Sequence, residues 1–144
     1  MLQRYPVELT LAEDGTIVAQ AVDLPEALTF GDTEAEALAT VRDALHVALT
    51  GYLEDRRDIP APSRPKRGQQ SIALDPTTAL KLGIYRGMRE HGITQAALAE
   101  QLAIDARQVR RILDLDHNTR LDHLEAALAV VGKRLVIDLV DRVA

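Results

Sequence analysis

The apolar positions of the chain change period twice, and the changes divide it into segments. Residues 4–12 (RYPVELTLA) alternate, with Tyr5, Val7, Leu9 and Leu11 on one side, the pattern of a half-buried strand. Glu13-Asp14-Gly15 follows as a hairpin signal. A three-residue loop with Gly15 left-handed would set Ile17, Ala19 and Ala21 on the Leu9 face. A two-residue turn would set Val18 and Val22 there. The first register is preferred because it keeps Gln20 out of the core. A third short strand fits 27–30. From residue 34 the period lengthens to that of a helix, about 34–55, with Leu38, Val41, Leu45, Leu49 and Tyr52 on one face. Thr33 followed by Glu36 three residues later is a capping box that starts it.

Residues 56–69 (RRDIPAPSRPKRGQ) break both periods. Three prolines and five Lys/Arg read as a linker or exposed crossover, either a solvated basic loop or an arm to phosphate. SIALD (71–75) reads as a fourth strand able to return to the front sheet. Helical periodicity then dominates. Asp75-Pro76 is an N-cap followed by proline at the first helical position, opening a helix over 76–90 that ends near Gly92. Thr94 caps a helix of about 95–102, Asp105 one of about 106–113, and a fourth, about 121–131, stops at Gly132. KRLVIDLV is alternating and β-branched, which predicts a terminal strand over Leu135–Val140.

Composition narrows the classes. The chain has 144 residues and no cysteine, which removes disulfides and thiolate metal sites and fits a reducing, cytoplasmic setting. MLQRYPVELTL lacks the form of a signal peptide, and no apolar run approaches a membrane span, so no membrane association is expected. Aromatic residues make up 3%, too few for a platform that stacks single-stranded bases. The net charge of −5 is unevenly spread. Residues 1–58 carry four Lys/Arg and twelve Asp/Glu, net −8, and residues 59–144 carry thirteen and ten, net +3. Different partners are expected for the two halves.

The stretch TQAALAEQLAIDARQVRRIL (94–113) has the layout of a helix-turn-helix. Ala97, Leu98 and Leu102 form the inner face of the first helix, and Ile104, Val109, Ile112 and Leu113 the buried stripe of the second. That leaves Ala106, Arg107 and Arg110, with Gln108 and Arg111 flanking, to approach bases, and Gln95 to grip phosphate at a helix start. Arginine suits this work because its fork donates two hydrogen bonds to guanine O6 and N7. The competing account is a core helix pair with an ordinary charged face. His46, His91, His117 and His123 show no metal spacing, and no cofactor or metal is expected.

Residues 94–113 resemble the Cro/repressor-type helix-turn-helix family through Gln95, Leu98, Ala99, Leu102, Ile104, Asp105, Val109, Arg111 and Ile112. The departure is Ala103 where that family has glycine. A longer resemblance, over about 4–140, is to the HicB antitoxin family. It rests on VDLPEALTFGDTEAEAL (22–38), with Asp23, Leu24, Pro25, Thr29, Gly31, Asp32, Thr33 and Ala37 in matching places, and on KLGIYRGMREHGITQAALAEQL and RILDLDHNTRLDHLEAALAVVGKRL. Glu26 and Ala27 replace that family's usual Gly-Cys pair.

The resemblance implies an α+β protein. A partial RNase H-like β-β-β-α-β domain (1–58, joined by strand 70–75) would be followed, after a linker at 59–69, by an all-α helix-turn-helix domain with a terminal strand (76–144). It further implies a type II antitoxin that binds and inhibits a HicA-type mRNA-cleaving ribonuclease toxin, and represses its own operon by binding double-stranded operator DNA as a homodimer or homotetramer. In that family the loop after the second helix approaches the DNA backbone, which adds Asn118 and Arg120 as phosphate contacts. The toxin-binding residues stay unassigned. The alternatives are a stand-alone transcriptional regulator with an oligomerising or ligand-sensing front half, and an RNase H-like nuclease using Glu8, Glu36 or Asp43, and Asp75. The nuclease reading is the weaker because Glu36 and Asp75 are already explained as caps, so no catalytic residue is expected.

Overall fold

A computed structural model describes residues 4–143. Within them the order is β1 (Arg4–Leu11), β2 (Ile17–Ala21), β3 (Leu28–Gly31), α1 (Glu34–Glu54), β4 (Gln70–Ala73), α2 (Pro76–His91), α3 (Gln95–Leu102), α4 (Ala106–Ile112) and α5 (Leu121–Val130). The strands form one antiparallel sheet in the order β3-β2-β1-β4.

The hairpin adopts the three-residue loop. Gly15 sits at φ 88°, which glycine adopts at little cost, and Leu9 faces Ala19 with Val7 facing Ala21. One face of the sheet therefore carries Tyr5, Val7, Ala19 and Ala21, all fully buried beneath α1. α1 turns Ala37, Val41, Leu45, Leu49 and Tyr52 toward them, with Leu38 half-buried. The Thr33 cap forms as the spacing predicts, but the returning arm of the expected box reaches Asp32, one residue before the cap, and not Thr33. Thr33 Oγ1 accepts from the Glu36 N–H at 3.1 Å, and the Glu36 carboxylate accepts from the Asp32 N–H at 3.3 Å. Gly31 lets β3 approach α1, since a Cβ there would lie 2.6 Å from the Ala37 nitrogen.

β4 returns to the front sheet and pairs with β1, Tyr5 opposite Ile72. Residues 56–69 form no helix or strand, but their first part is tied down. Ile59 is buried, the Pro60 carbonyl accepts from the Tyr5 hydroxyl (2.8 Å) and from Arg86 (3.1 Å), and Ser63 donates to Asp23.

The helices after β4 surround a second apolar cluster of Ile84, Met88, Leu98, Val109, Ile112, Leu124, Ala127, Leu128 and Val131. The first cluster does not stop at the sheet. Leu82 and Tyr85 of α2, with Leu115 beyond α4, pack into it. Polar ties reinforce that seam: the Tyr85 hydroxyl donates to the Arg57 carbonyl (2.7 Å), Arg89 pairs with Asp58, and His46 on α1 meets Asp116 at 2.8 Å. One expected element is not formed. Residues 133–143 carry no helix or strand, so the terminal strand over Leu135–Val140 does not exist in a single chain. Its backbone has no adjacent edge to pair with, and Val136, Ile137, Leu139 and Val140 are 66–89% exposed.

Candidate nucleic-acid interface

α3 and α4 are two short helices joined by a turn, and local chemistry fixes both ends of each. Thr94 Oγ1 accepts from the Ala97 N–H at 3.0 Å and so starts α3. Asp105 accepts from the Gln108 N–H at 2.8 Å while the Gln108 side chain accepts from the Asp105 N–H at 3.2 Å, a reciprocal box that starts α4. Between them the chain turns at Ala103, with φ 54° and ψ 44°. That left-handed conformation costs an alanine on the order of 1 kcal/mol relative to glycine. It is retained because the turn closes two bonds, Ala103 N–H to Glu100 O (3.2 Å) and Ile104 N–H to Ala99 O (3.0 Å).

The apolar stripe lies where the spacing puts it. Leu98 and Val109 are fully buried, Ile112 nearly so, and Ala97, Leu102, Ile104 and Leu113 are half-buried. The opposite surface carries the eight residues singled out for DNA. Gln95, Ala106, Arg107, Gln108, Arg110, Arg111, Asn118 and Arg120 are all exposed. Among the described residues no ion pair engages Arg107, Arg110 or Arg111. Three guanidinium groups on one short helix therefore face solvent outside any ion pair. Arg120 differs: its guanidinium already holds Asp122 through two hydrogen bonds of 3.2 and 3.1 Å. The Gln108 side chain is likewise occupied by its cap. Gln95 and Arg110, from different helices, meet along an open groove of about 1000 Å³ that also takes in Asp114 and Asp116.

A residue that the periodicity hid controls the end of α4. Lys81 of α2 is 0% exposed. Its Nζ donates to the carbonyls of Arg111 (2.9 Å), Asp114 (2.6 Å) and His117 (2.7 Å). Three donors meet three acceptors, so the ammonium is satisfied and sits as a positive charge at the C-terminal end of α4. Burial pushes its pKa below the ordinary lysine value, and the carboxylates of Asp114, Asp116 and Asp75 push the other way. The loop bearing Asn118 and Arg120 is thereby pinned to α2. The only sequence signal was a lysine beside Leu82, Ile84 and Tyr85 on an otherwise apolar face.

The carboxylates considered for nuclease chemistry are dispersed. Glu36 caps α1, Asp75 caps α2 through Thr78 (2.8 and 2.7 Å), Glu8 faces away from α1, and Asp43 is exposed on α1. Among the described residues no three His, Cys, Asp or Glu are grouped to hold a metal, and no helix is long and apolar enough to cross a membrane.

Residues 4–83 match the family described as a HicB-like antitoxin of bacterial toxin–antitoxin systems. The chain is 39% identical over 132 residues to antitoxin HicB 2 of Photorhabdus laumondii, covering 92% of this chain and 93% of the relative. It is 36% identical to antitoxin HicB of Escherichia coli K12 over 137 residues (95% and 99%). To antitoxin HicB of Pseudomonas fluorescens it is 32% identical over 128 residues (88% and 88%).

Proposed function

This chain belongs to the HicB-like antitoxin family, and from that premise we propose that it joins two activities, toxin neutralisation in front and operator binding behind. The front unit, residues 1–58 with β4 added across the 59–69 connection, is read as partial RNase H-like on its β-β-β-α-β order. It binds and inhibits a HicA-type ribonuclease toxin. A protein that handles RNA needs a basic surface, and the net −8 of residues 1–58 complements it.

The rear unit, residues 76–144, binds operator DNA through α3 and α4 as a helix-turn-helix and represses its own operon. The observation that carries this is the solvent-facing set Arg107, Arg110 and Arg111, none of them held in an ion pair among the described residues, on a helix whose other side is buried. Arg107 and Arg110 read base edges. Gln95, Arg111, Asn118 and, on leaving Asp122, Arg120 contact the backbone. Ala106 and Gln108 line the approach at the start of α4.

Palindromic operators require two such helices about one DNA turn apart, ~34 Å, hence a homodimer or a tetramer built from dimers. The exposed tail supplies a means. Two copies of 133–141 paired antiparallel about Ile137 would set Leu135 opposite Leu139 and Lys133 opposite Asp141. Pairing about Asp138 would oppose like charges, Asp138 with Asp138 and Arg134 with Arg142. The strand that one chain leaves unformed would then form between two.

Gel-shift titration of the operon's promoter DNA tests the rear half. Arg107→Ala and Arg110→Ala are each expected to cost about 1–3 kcal/mol of binding and to relax specificity, with toxin binding unchanged. Unchanged operator affinity in the double variant would remove the assignment.

A further inference from the structure

The sheet has two sets of side chains, and strand register separates them. The set facing α1 is the core already described. The other set lies in two cross-strand rows, Thr10–Val18–Phe30 and Glu8–Gln20–Leu28, because Thr10 pairs with Val18 and Val18 with Phe30, and Glu8 with Gln20 and Gln20 with Leu28. Phe30 is the single phenylalanine of the chain and is 67% exposed; Leu28 is 55% exposed, and Val18 lies beside Phe30 half-buried. Both exposed apolar residues stand on β3, the outer strand of the sheet. Their exposure serves no contact within the described chain.

The rim of this patch is acidic. Glu8 lies in the Leu28 row, Asp32 follows Phe30 by two residues, and Glu13 and Asp14 occupy the hairpin beyond the Thr10–Val18 pair. Lys66 and Arg67, in the turn that leads into β4, lie past the opposite edge of the sheet, and the basic residues of 1–58 stand elsewhere. Arg42 is on α1, across the sheet, and Arg56 and Arg57 follow the end of α1, where Arg57 lies over the Tyr52 ring. Arg4 shares the patch's face but sits four residues along β1 from Glu8, about 13 Å away.

We infer that this open sheet face, with Phe30 as its anchor, Leu28 and Val18 beside it and Glu8 and Asp32 at its rim, is where the basic, RNA-cleaving toxin docks. This rests on the antitoxin reading above and names the surface for it. An aromatic anchor inside a charged rim is the arrangement that concentrates binding energy at the centre and steers a charged partner from the edge. The acidic rim selects a basic protein over a second copy of this face, which would set like charges against each other. The surface shares no residue with the exposed face of α3 and α4.

The test is calorimetric titration of a purified HicA-type toxin into the full-length protein, with growth rescue in cells as a second readout. Phe30→Asp is expected to weaken binding by about 30-fold or more and to abolish rescue. Glu8→Lys is expected to slow association and flatten its salt dependence. Thermal unfolding and operator gel shift should stay at wild-type values in both, since both side chains are exposed. Val47→Asp, at an equally exposed apolar site on α1 (70%), is expected to bind as wild type. Wild-type toxin affinity in Phe30→Asp, or loss in Val47→Asp alone, would overturn the proposal. So would a Phe30→Asp variant that only changes oligomeric mass in light scattering. No binding by the wild-type protein would instead remove the antitoxin reading, and this surface with it.

Discussion

Replacing Lys81 by methionine keeps most of the side-chain volume and removes only the ammonium. Three charged hydrogen bonds disappear, to Arg111 O, Asp114 O and His117 O. Bonds to a charged group contribute roughly 1.5–3 kcal/mol each, so the gross loss is on the order of 5–9 kcal/mol. Two effects reduce it. The desolvation cost of a buried ammonium, several kcal/mol, vanishes with the charge. None of the three carbonyls is left bare, because each keeps a backbone donor: Asp114 N–H to Arg111 O (3.3 Å), His117 N–H to Asp114 O (3.1 Å) and Thr119 N–H to His117 O (3.0 Å). The net destabilisation is expected at about 2–4 kcal/mol.

Urea unfolding followed by circular dichroism measures it. The pH dependence carries an independent sign. The folded-state pKa of Lys81 is lowered, so between it and the unfolded value near 10.5 the unfolded chain binds more protons. Stability of the wild type relative to Lys81→Met must therefore rise as pH rises through that window. Operator affinity should fall as well, although Lys81 is buried, because the 114–120 loop and the end of α4 lose their anchor. An unfolding free energy within about 0.5 kcal/mol of wild type would refute the claim that Lys81 holds α4.

Two further substitutions follow from the same geometry. Ala103→Gly removes the Cβ from a left-handed turn residue (φ 54°) and is expected to stabilise by about 1 kcal/mol in thermal unfolding; destabilisation would mean that the turn carries no strain. Ile137→Lys places like charges opposite each other at the proposed two-fold contact of the tails. The mass in light scattering is expected to drop to that of a monomer, with weaker operator binding; an unchanged mass would remove the tail from the interface.

Local rules made much of this molecule legible in its residues. The hairpin register was readable because keeping Gln20 out of the core and putting Gly15 in the left-handed position favour one loop length. The helix starts at Thr33, Asp75, Thr94 and Asp105 were readable because a cap is a bond between a side chain and a backbone N–H three residues on. The exposed arginines of α4 were readable as the remainder once the apolar stripe had been assigned. Each depends only on neighbours within about one turn of chain.

What needed the tertiary structure depends on groups far apart in sequence. Lys81 reads as a solvated charge until the carbonyls of Arg111, Asp114 and His117 come around it, thirty and more residues away. The packing of Leu82, Tyr85 and Leu115 into the front core shows in no periodicity, because a stripe records that a face is buried and not against what. Gly87 likewise looks like a poor helix residue until Val131 is seen 2.6 Å from where its Cβ would be. The tail marks the converse limit. Leu135–Val140 has the composition of a strand, but a strand is completed by a neighbour's hydrogen bonds, and a single chain supplies no neighbour there.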